Sequence, residues 1–559
     1  MNIKDKTIAL IDSLKATCQT FGMGNDGNEY KVITQVFLYK FMADKFGHEI
    51  KKIKMPCIKT LIDAKDQWEQ AYAKLSNKDR EKIFAFLPPE VPQLEPEHLI
   101  GNLWNKQTRG EFDVIFDETM IDIAQKNISI YYTKTSSETK IPIFEKLTHF
   151  VTDDAKRAEF ARALVDKLAK FSFEEAFSEH YDFFSDIFEY LIKDYNTAGG
   201  GKYAEYYTPK AIAKIMAQLL VGDDSDLHNI ECYDPSAGTG TLLMALSHQI
   251  GEDRCTIFSQ DISQRSNKML KLNLLLNGLV SSLDHAIQGD TLLEPYHKNH
   301  DGKTLKQFDY VVSNPPFKMD FSDSRDIIES KWTKRFWAGV PKIPNKKKES
   351  MAIYTCFIQH VVNSIKENGK GAIVIPTGFI TAKSGIERKI LERIVDEHIV
   401  YGVVSMPSNV FANTGTNVSV LFFDKSKKKT DNDKVTLIDA SKLGKEYKDA
   451  NGLKKVRLED DEIEKIVSTF RKAKAVEDFS VVVTYNEVKE KGYSLSAGQY
   501  FDIKIDYVDI TEEEFNSQMK ADMEELNAMF AESHKLEKEI QKQLASLSLQ
   551  GAIATKQSK

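Results

Sequence analysis

The sequence predicts a doubly wound α/β sheet that is preceded by an all-helical N-terminal domain and followed by a C-terminal helical tail. Between about residues 196 and 440, short β-rich runs alternate with helical segments, a pattern typical of such sheets. Before this region apolar residues recur at helical spacing, and after it comes a charged stretch with one apolar stripe. We therefore expect a helical domain at 1–195, an α/β domain at 196–500 and a tail at 501–559.

Composition describes an ordinary soluble globular protein, because 42% of the 559 residues are hydrophobic and 28% are charged. We find no apolar run long enough to span a membrane and no signal-peptide pattern at the start. The five cysteines never form a C-x-x-C pair, so we expect a cytoplasmic protein without disulfides or a cysteine metal site. The net charge of −7 argues against a protein whose whole surface grips nucleic acid.

The N-terminal region shows helical patterns throughout. Apolar stripes run through residues 32–46, 153–170 and 174–194, and prolines between 88 and 96 mark a connection. We find no alternating strand pattern before residue 195 and expect no catalytic residues there.

Six β-rich runs predict the strands of the sheet. Ligands of doubly wound sheets bind at the carboxyl ends of the strands, so the polar residues that end these runs are candidate site residues. The runs are residues 230–234, 255–261, 308–314, 371–376, 401–407 and 417–423.

A glycine loop directly follows the first of these runs. It reads Asp234-Pro-Ser236-Ala-Gly238-Thr239-Gly240 and is followed by a predicted helix. Its glycines allow a sharp turn and a close approach of the backbone to a ligand. The loop lacks the Gly-Lys-Ser/Thr ending of a phosphate-binding P-loop and the third glycine of a dinucleotide fingerprint. An ordinary strand–helix turn is the alternative interpretation.

Two acidic residues follow the next two predicted strands. Asp261 stands 23 residues after Gly238, where a carboxylate can accept hydrogen bonds from the hydroxyls of a ribose. Because the glycine loop has no phosphate-binding pattern, the loop and Asp261 together suit an adenosine whose tail is an amino acid. Asp290 stands where a third strand would end and could face the adenine, and an exposed aspartate in a turn is an equally good interpretation.

The sequence Asn314-Pro315-Pro316-Phe317, here called the tetrad, ends an apolar strand. The carbonyl of Pro315 and the side-chain oxygen of Asn314 can face one pocket as two acceptors, which suits an exocyclic NH2 group. Phe317 offers an aromatic face on which a flipped base can stack. A proline-rich turn with a buried phenylalanine is the alternative.

A third motif begins a helix before the glycine loop. Thr208 followed by Pro209 is a good helix start, and helix capping would explain both residues without a function. A free helix N-terminus also binds carboxylates, such as that of a methionine moiety. The motif is Glu205, Tyr206, Tyr207, Thr208, Pro209 and Lys210.

The order EYYTPK, DPSAGTG, QDIS, GD, NPPF and IVIPTGF resembles the amino-group DNA methyltransferases, and most closely the modification subunits of type I restriction–modification systems. The segments 188–209, 403–425 and 492–501 extend the resemblance, which covers roughly residues 180–500. It implies a class I S-adenosylmethionine-dependent methyltransferase sheet and a catalytic domain at 196–500.

The resemblance also implies roles for the motif residues. The segment Glu205–Lys210 and the loop residues Asp234, Ser236, Gly238, Thr239 and Gly240 would hold S-adenosylmethionine with Asp261 and Asp290, and the tetrad would act on adenine N6. Two departures matter: Phe317 replaces the commoner Tyr, and Asp261 stands where Glu is frequent.

The resemblance implies that the substrate is DNA and that the chain acts together with other protein subunits. A separate specificity subunit would bind two modification subunits, and a motor-nuclease subunit would join them for cutting, because we find no DNA-reading domain or helicase motif in this chain. Methyltransferases of RNA bases or of protein glutamine share the tetrad, and a scaffold with an inactive pocket is a third possibility.

Two further segments carry expectations. The tail helix, from Thr511 to about Leu547, is expected either to pack on a partner or to fold back on its own domain. Residues 318–350 contain two tryptophans among lysines and two prolines. We expect this segment to be mobile in the free subunit and to order over the strand that carries the flipped adenine.

Overall fold

The structure is a computed structural model. It describes residues 2–24, 27–178, 181–197, 208–223, 226–331, 334–411, 417–426, 430, 432–448, 452, 454–501 and 511–554. The chain forms two compact units, Met1–Phe501 and Asp502–Lys559. No helix among the described residues combines the length and hydropathy needed to cross a membrane.

Thirteen strands are found in the described part of the chain. They are β1 (Tyr132–Thr135), β2 (Lys140–Pro142), β3 (Ile230–Asp234), β4 (Cys255–Asp261), β5 (Ala286–Gln288), β6 (Phe308–Ser313), β7 (Ile365–Pro376), β8 (Val400–Ser405), β9 (Val418–Asp424), β10 (Lys434–Asp439), β11 (Lys445–Lys448), β12 (Lys454–Arg457) and β13 (Ser480–Thr484).

The helices of the first unit fall into two groups. Those before the main strands are α1 (Ile3–Thr20), α2 (Glu29–Ile50), α3 (Pro56–Asp63), α4 (Trp68–Ala73), α5 (Asn77–Phe86), α6 (Ile100–Lys106), α7 (Phe112–Lys126), α8 (Asp154–Ala169) and α9 (Tyr181–Thr197). Those among the strands are α10 (Lys210–Val221), α11 (Thr241–Ile250), α12 (Gln264–Leu276), α13 (Arg325–Lys331), α14 (Tyr354–Ser364), α15 (Gly385–Asp396), α16 (Asp460–Arg471) and α17 (Tyr485–Glu490).

The described strands build one eleven-stranded sheet in the order β13-β10-β8-β9-β7-β6-β3-β4-β5-β1-β2, while β11 and β12 pair separately. Strands β3 to β7 are parallel to their neighbours among themselves, and β9 runs antiparallel to both β7 and β8. The chain goes from β3 outward to β4 and β5 and then returns to the other side of β3 as β6. This reversal opens a crevice at the carboxyl ends of β3 and β6. The predicted doubly wound sheet is confirmed.

Strands β1 and β2 correct the prediction that the N-terminal region contains no strands. β1 pairs in parallel with β5, and β2 pairs with β1 in antiparallel orientation. The two strands are three and four residues long, too short to produce a detectable alternation. The buried Lys271 side chain holds the start of β1 from α12, since it donates to the carbonyl of Tyr132 at 2.6 Å and to that of Leu283 at 2.9 Å. The N-terminal region thus supplies the edge of the sheet.

The segment 318–350 also differs from its prediction. Residues 335–341 of this segment are packed into the core, where Phe336, Ala338 and Val340 are buried, and Trp337 is half-buried under the guanidinium of Arg393 at 4.4 Å. Trp332 lies outside the described residues. The expectation of a mobile segment was wrong for residues 334–341, because the apolar residues that anchor it are interleaved with lysines and glycine and produce no regular period.

The second compact unit contains helix α18 (Glu512–Ala554). A long charged helix was predicted here, and the helix is confirmed. Its large apolar side chains are about half exposed, from Leu526 at 47% to Leu544 at 60%.

The packing of Gly240 against α12 yields a test of the fold. Gly240 has φ +85°, and a Cβ there would lie 2.2 Å from Leu270 Cδ1. We expect Gly240→Ala to cost about 1–2 kcal/mol for its backbone conformation and about 1–3 kcal/mol more for overpacking. Gly278→Ala is the matched control, because Gly278 has φ +74° with nothing within 4 Å of its Cβ position. Melting temperatures of the two variants are measured by calorimetry. Equal shifts would contradict the close packing of Gly240 against Leu270.

Candidate active site

The motif residues meet at the carboxyl edge of the sheet. Asp234 ends β3, Asp261 ends β4, Asp290 follows β5 and Asn314 follows β6. These four strands are neighbours in the sheet, so the sequence motifs lie around a single crevice. The segment 201–207, which includes the predicted Glu205, Tyr206 and Tyr207, lies outside the described residues.

The carboxylate of Asp261 holds the glycine loop (Asp234–Gly240) against β4. The Gly238 N–H donates to Asp261 Oδ2 at 2.9 Å, and the Ser263 N–H donates to Oδ1 at 2.8 Å. Burial raises the pKa of Asp261, and these two hydrogen bonds oppose that rise. A carboxylate has about four lone-pair sites, so each oxygen that accepts one N–H keeps capacity for a second donor.

Asp234 stabilises the same loop through a hydrogen bond within it. Its Oδ1 accepts the Ser236 N–H at 2.9 Å, and Ser236 Oγ shares a hydrogen bond of 2.7 Å with Ser313 Oγ at the end of β6. Burial, with a contribution from the neighbouring Asp261, raises the pKa of Asp234 to about 8. At the other end of the loop, Asn273 Nδ2 donates to the carbonyl of the buried Thr239 at 3.1 Å. The glycine loop is therefore connected directly to the strand that carries the tetrad.

Asp290 organises the turn after β5. Its Oδ1 accepts the N–H groups of Leu292 at 2.9 Å and Leu293 at 3.1 Å. The hydroxyl of Thr291 donates to the carbonyl of Pro235 at 2.7 Å, which attaches this turn to the glycine loop. Asp290 thus lies beside the crevice with one oxygen used by its own turn.

Asn314 is oriented by a residue of the third motif. Its Nδ2 donates to Thr208 Oγ1 at 3.0 Å, so Oδ1 is turned away from Thr208. The alternative interpretation of Thr208 as a helix cap does not hold, because α10 begins at Lys210 with Pro209 as the cap residue and no side-chain cap bond. The buried hydroxyl of Thr208 serves the tetrad instead.

Aromatic side chains hold the end of the tetrad. Pro315 is buried, Pro316 and Phe317 are half-buried, and the Phe317 ring meets Tyr354 edge-on at 6.5 Å between centroids. Tyr354 in turn meets Phe379 edge-on at 6.2 Å. Tyr354 and Phe379 were not anticipated, although Phe379 lies in the IVIPTGF segment that carried part of the resemblance.

Lys210 turns its side chain toward the N-terminal helices. Its ammonium lies 2.5 Å from Asp186 Oδ1 in α9, and the other oxygen of Asp186 binds Lys4. These two bonds lower the pKa of Asp186 against the opposing effect of burial. The side chain of Lys210 therefore serves the contact between α9 and α10, and its backbone N–H remains at the helix start.

Arg335 is a buried charge that the sequence did not reveal. Its guanidinium donates to the carbonyl of Thr291 at 3.1 Å and to that of Leu292, and it lies 3.3 Å from His360 Nδ1. Burial lowers the pKa of Arg335 to about 10. It ties the segment 334–341 to the turn that follows Asp290. Within the described ranges, no group of three His, Cys, Asp or Glu side chains could hold a metal ion.

Comparisons with known proteins agree with this arrangement. The N-6 DNA methylase family matches residues 179–506, more than half of the chain. The methylase subunit of the type I restriction enzyme MjaIX from Methanocaldococcus jannaschii is 28% identical over 69% of this chain and 66% of its own length. The methylase subunit of the type I restriction enzyme MpnII from Mycoplasma pneumoniae is 27% identical over 62% of this chain and 61% of its own length. The chain thus spans just under two thirds of these two relatives.

A solved structure shares the fold. The methyltransferase subunit of a type I restriction–modification system from Streptococcus thermophilus matches with a TM-score of 0.70 and 22% identity, over 89% of this chain and all of the other. The alternation of strands and helices had predicted a fold of this kind from the sequence. From the extent of the family match, the chain belongs to the N-6 DNA methylase family.

Proposed function

We propose that this chain is the modification subunit of a type I restriction–modification system and transfers a methyl group from S-adenosylmethionine to N6 of adenine in DNA. The observation that carries this proposal is the fixed amide of Asn314, whose nitrogen is held by Thr208 so that its oxygen is left for another donor. An exocyclic amino group is a donor of the right kind. Membership of the N-6 DNA methylase family supports the same reaction.

The donors and acceptors of the crevice fit S-adenosylmethionine. Asp261 keeps lone pairs for the hydroxyls of a ribose, and the first N–H groups of the twelve-residue helix α10 suit the carboxylate of a methionine moiety. The loop Asp234–Gly240 carries no basic residue, as expected for a ligand without phosphates. When bound, the cofactor supplies a methyl group on a positively charged sulfur.

The tetrad would prepare the adenine nitrogen for this methyl group. The lone pair of the amino group is delocalised into the ring, which makes the nitrogen a poor nucleophile. Hydrogen bonds from its two N–H groups to Asn314 Oδ1 and to the Pro315 carbonyl favour a tetrahedral nitrogen whose lone pair can attack in line. The nitrogen–carbon bond forms as the sulfur–carbon bond breaks, and one N–H proton then leaves to water. Phe317, held by Tyr354, gives the flipped base a stacking surface. Positioning and electrostatics supply most of the rate.

Sequence specificity is assigned to other subunits. The chain has a net charge of −7, and its relatives are named as subunits of restriction enzymes. We propose a complex of two modification subunits with one specificity subunit, which a motor-nuclease subunit joins for cutting. The specificity subunit would place the target adenine at the tetrad.

The direct test of the reaction is incubation of the chain, together with the products of its neighbouring genes, with tritiated S-adenosylmethionine and DNA. We expect label in the DNA, and chromatography of the digested nucleosides should recover it as N6-methyladenine. Label in cytosine, or in RNA or protein with none in DNA, would refute the proposed reaction.

Loss of the Asn314 amide should separate chemistry from cofactor binding. We expect Asn314→Ala to lower the single-turnover rate of methyl transfer by at least about a hundredfold, which corresponds to roughly 2.7 kcal/mol of transition-state stabilisation. The dissociation constant of S-adenosylmethionine, measured by calorimetry, should stay within about twofold of wild type. Thr208→Val, which removes only the hydroxyl that orients the amide, should give a smaller loss of rate. A large loss of cofactor affinity in Asn314→Ala would place this residue in another role.

Asp261→Ala should show the reverse pattern. It removes an acceptor proposed for the ribose and the carboxylate that holds the Gly238 N–H. We expect the dissociation constant of S-adenosylmethionine to rise at least about tenfold, since hydrogen bonds to charged groups are worth about 1.5–3 kcal/mol. The melting temperature of the cofactor-free variant controls for loss of the fold. Wild-type affinity would show that Asp261 does not bind the cofactor.

The isolated chain should discriminate poorly among DNA sequences. We expect it to bind duplexes weakly and to gain selectivity when the specificity subunit is added. Methylation of randomised DNA, followed by sequencing of the modified sites, measures this difference. Selective methylation of one sequence by the chain alone would contradict the proposed division of roles.

A further inference from the structure

A run of lysines lies close to the tetrad. Residues 342–350, here called the basic arch, carry Lys342, Lys346, Lys347 and Lys348. All four side chains are exposed, and none forms a salt bridge with a carboxylate of the described residues. In a chain whose net charge is −7, the arch is a local concentration of positive charge.

The first end of the arch is anchored in the core. Phe336, Ala338 and Val340, which precede it, are buried. The guanidinium of Arg325 in α13 donates to the carbonyls of Pro341 and Val340, both at 3.1 Å. The arch therefore begins at a fixed position on the protein.

The other end of the arch is fastened next to the tetrad. The Met319 N–H donates to the carbonyl of the buried Met351 at 3.1 Å, and Met319 is two residues beyond Phe317. The Met351 N–H donates back to the Lys348 carbonyl at 3.1 Å. Four residues span at most about 14 Å, so Lys347 lies within that distance of Met351.

The arch has a strained backbone conformation at Lys347 and a carboxylate near Lys348. Lys347 has φ +59°, a conformation that costs a non-glycine residue about 1–2 kcal/mol. Hydrogen bonds from Ser322 and, more weakly, the charge of Lys348 hold the pKa of Asp320 below its usual range, without a salt bridge between Lys348 and Asp320. The arch is a held element that presents cations, and it is not a freely solvated tail.

We propose that the basic arch binds backbone phosphates of the target strand on either side of the flipped adenine. This inference rests on the proposed function, because it takes a base in the crevice as its starting point. A base that enters the crevice brings its own strand to the mouth of the site, and the phosphates that flank it need cations there. Lysine ammonium groups supply compact charges for this without reading sequence.

The salt dependence of DNA binding tests the arch directly. The variant Lys347→Gln with Lys348→Gln is compared with wild type in the assembled complex, with a duplex that the wild-type complex methylates. Each lost phosphate contact makes the negative slope of log affinity against log salt shallower by about 0.9. We expect a slope shallower by roughly one to two units, with unchanged affinity for S-adenosylmethionine and an unchanged melting temperature.

The matched control is Lys472→Gln with Lys474→Gln, which changes the net charge equally. These lysines follow α16, whose Arg471 binds the Gln218 carbonyl at the far end of α10. The twelve residues of α10 place that end about 18 Å from Thr208. We expect the control to keep the wild-type slope of log affinity against log salt. The variant Lys347→Arg with Lys348→Arg, which keeps both charges, should have a slope close to that of wild type.

The outcomes separate this inference from the proposed function. Equal slopes in the glutamine variant, its control and wild type would overturn the arch while methylation by wild type still stands. A weaker association of subunits in gel filtration, with an unchanged salt slope, would make the arch a docking surface for an acidic partner protein and also overturn the inference. A wild-type complex that methylates no DNA would refute the proposed function itself.

Discussion

The two hydrogen bonds of the Asp261 carboxylate are the interaction on which the rest of the crevice depends. One oxygen of the carboxylate accepts the N–H of Gly238 in the glycine loop, and the other accepts the N–H of Ser263 at the start of α12. Because Asp261 is almost fully buried, these bonds act in a medium of low dielectric, and loss of either donor would leave a carboxylate poorly satisfied. The same group that is proposed to bind a ribose thus also shapes the loop beneath it.

Hydrogen bonds extend this brace across the crevice. Ser236 joins the glycine loop to Ser313 before the tetrad, and Thr291 joins the turn of Asp290 to Pro235. Arg335 then fastens that turn to the segment that leads into the basic arch. Hydrogen bonds to charged groups contribute about 1.5–3 kcal/mol each, so the guanidinium makes a substantial link. The proposed cofactor pocket and the proposed strand contact are therefore joined by one hydrogen-bonded framework.

The central strands could be predicted from the sequence because each is a continuous apolar run ended by polar residues. Strands β3 and β4 match their predicted bounds of 230–234 and 255–261, and the tetrad lies at the predicted strand end. The short edge strands β1 and β2 were missed, because a three-residue or four-residue strand owes its existence to its neighbour and leaves no period of its own.

Tertiary contacts explain the other differences. Thr208 and Pro209 have the composition of a helix cap, yet the Thr208 hydroxyl is taken by Asn314, 106 residues away in the chain. The buried guanidinium of Arg335 likewise donates to carbonyls more than 40 residues distant. Local sequence carries no signal for such pairings, since they arise only when the sheet brings its carboxyl ends together.

The contact between Thr208 and Asn314 joins the two halves of the proposed reaction. Thr208 stands immediately before α10, whose first N–H groups are proposed to hold the methionine carboxylate, and its hydroxyl orients the amide proposed to hold the adenine. Any ligand that shifts the start of α10 will therefore change the orientation of Asn314. By reciprocity, any effect of a ligand at that helix start on adenine binding at Asn314 equals the effect of adenine on the binding of that ligand. The Thr208 hydroxyl is thus a direct contact between the proposed cofactor site and the proposed target-base site.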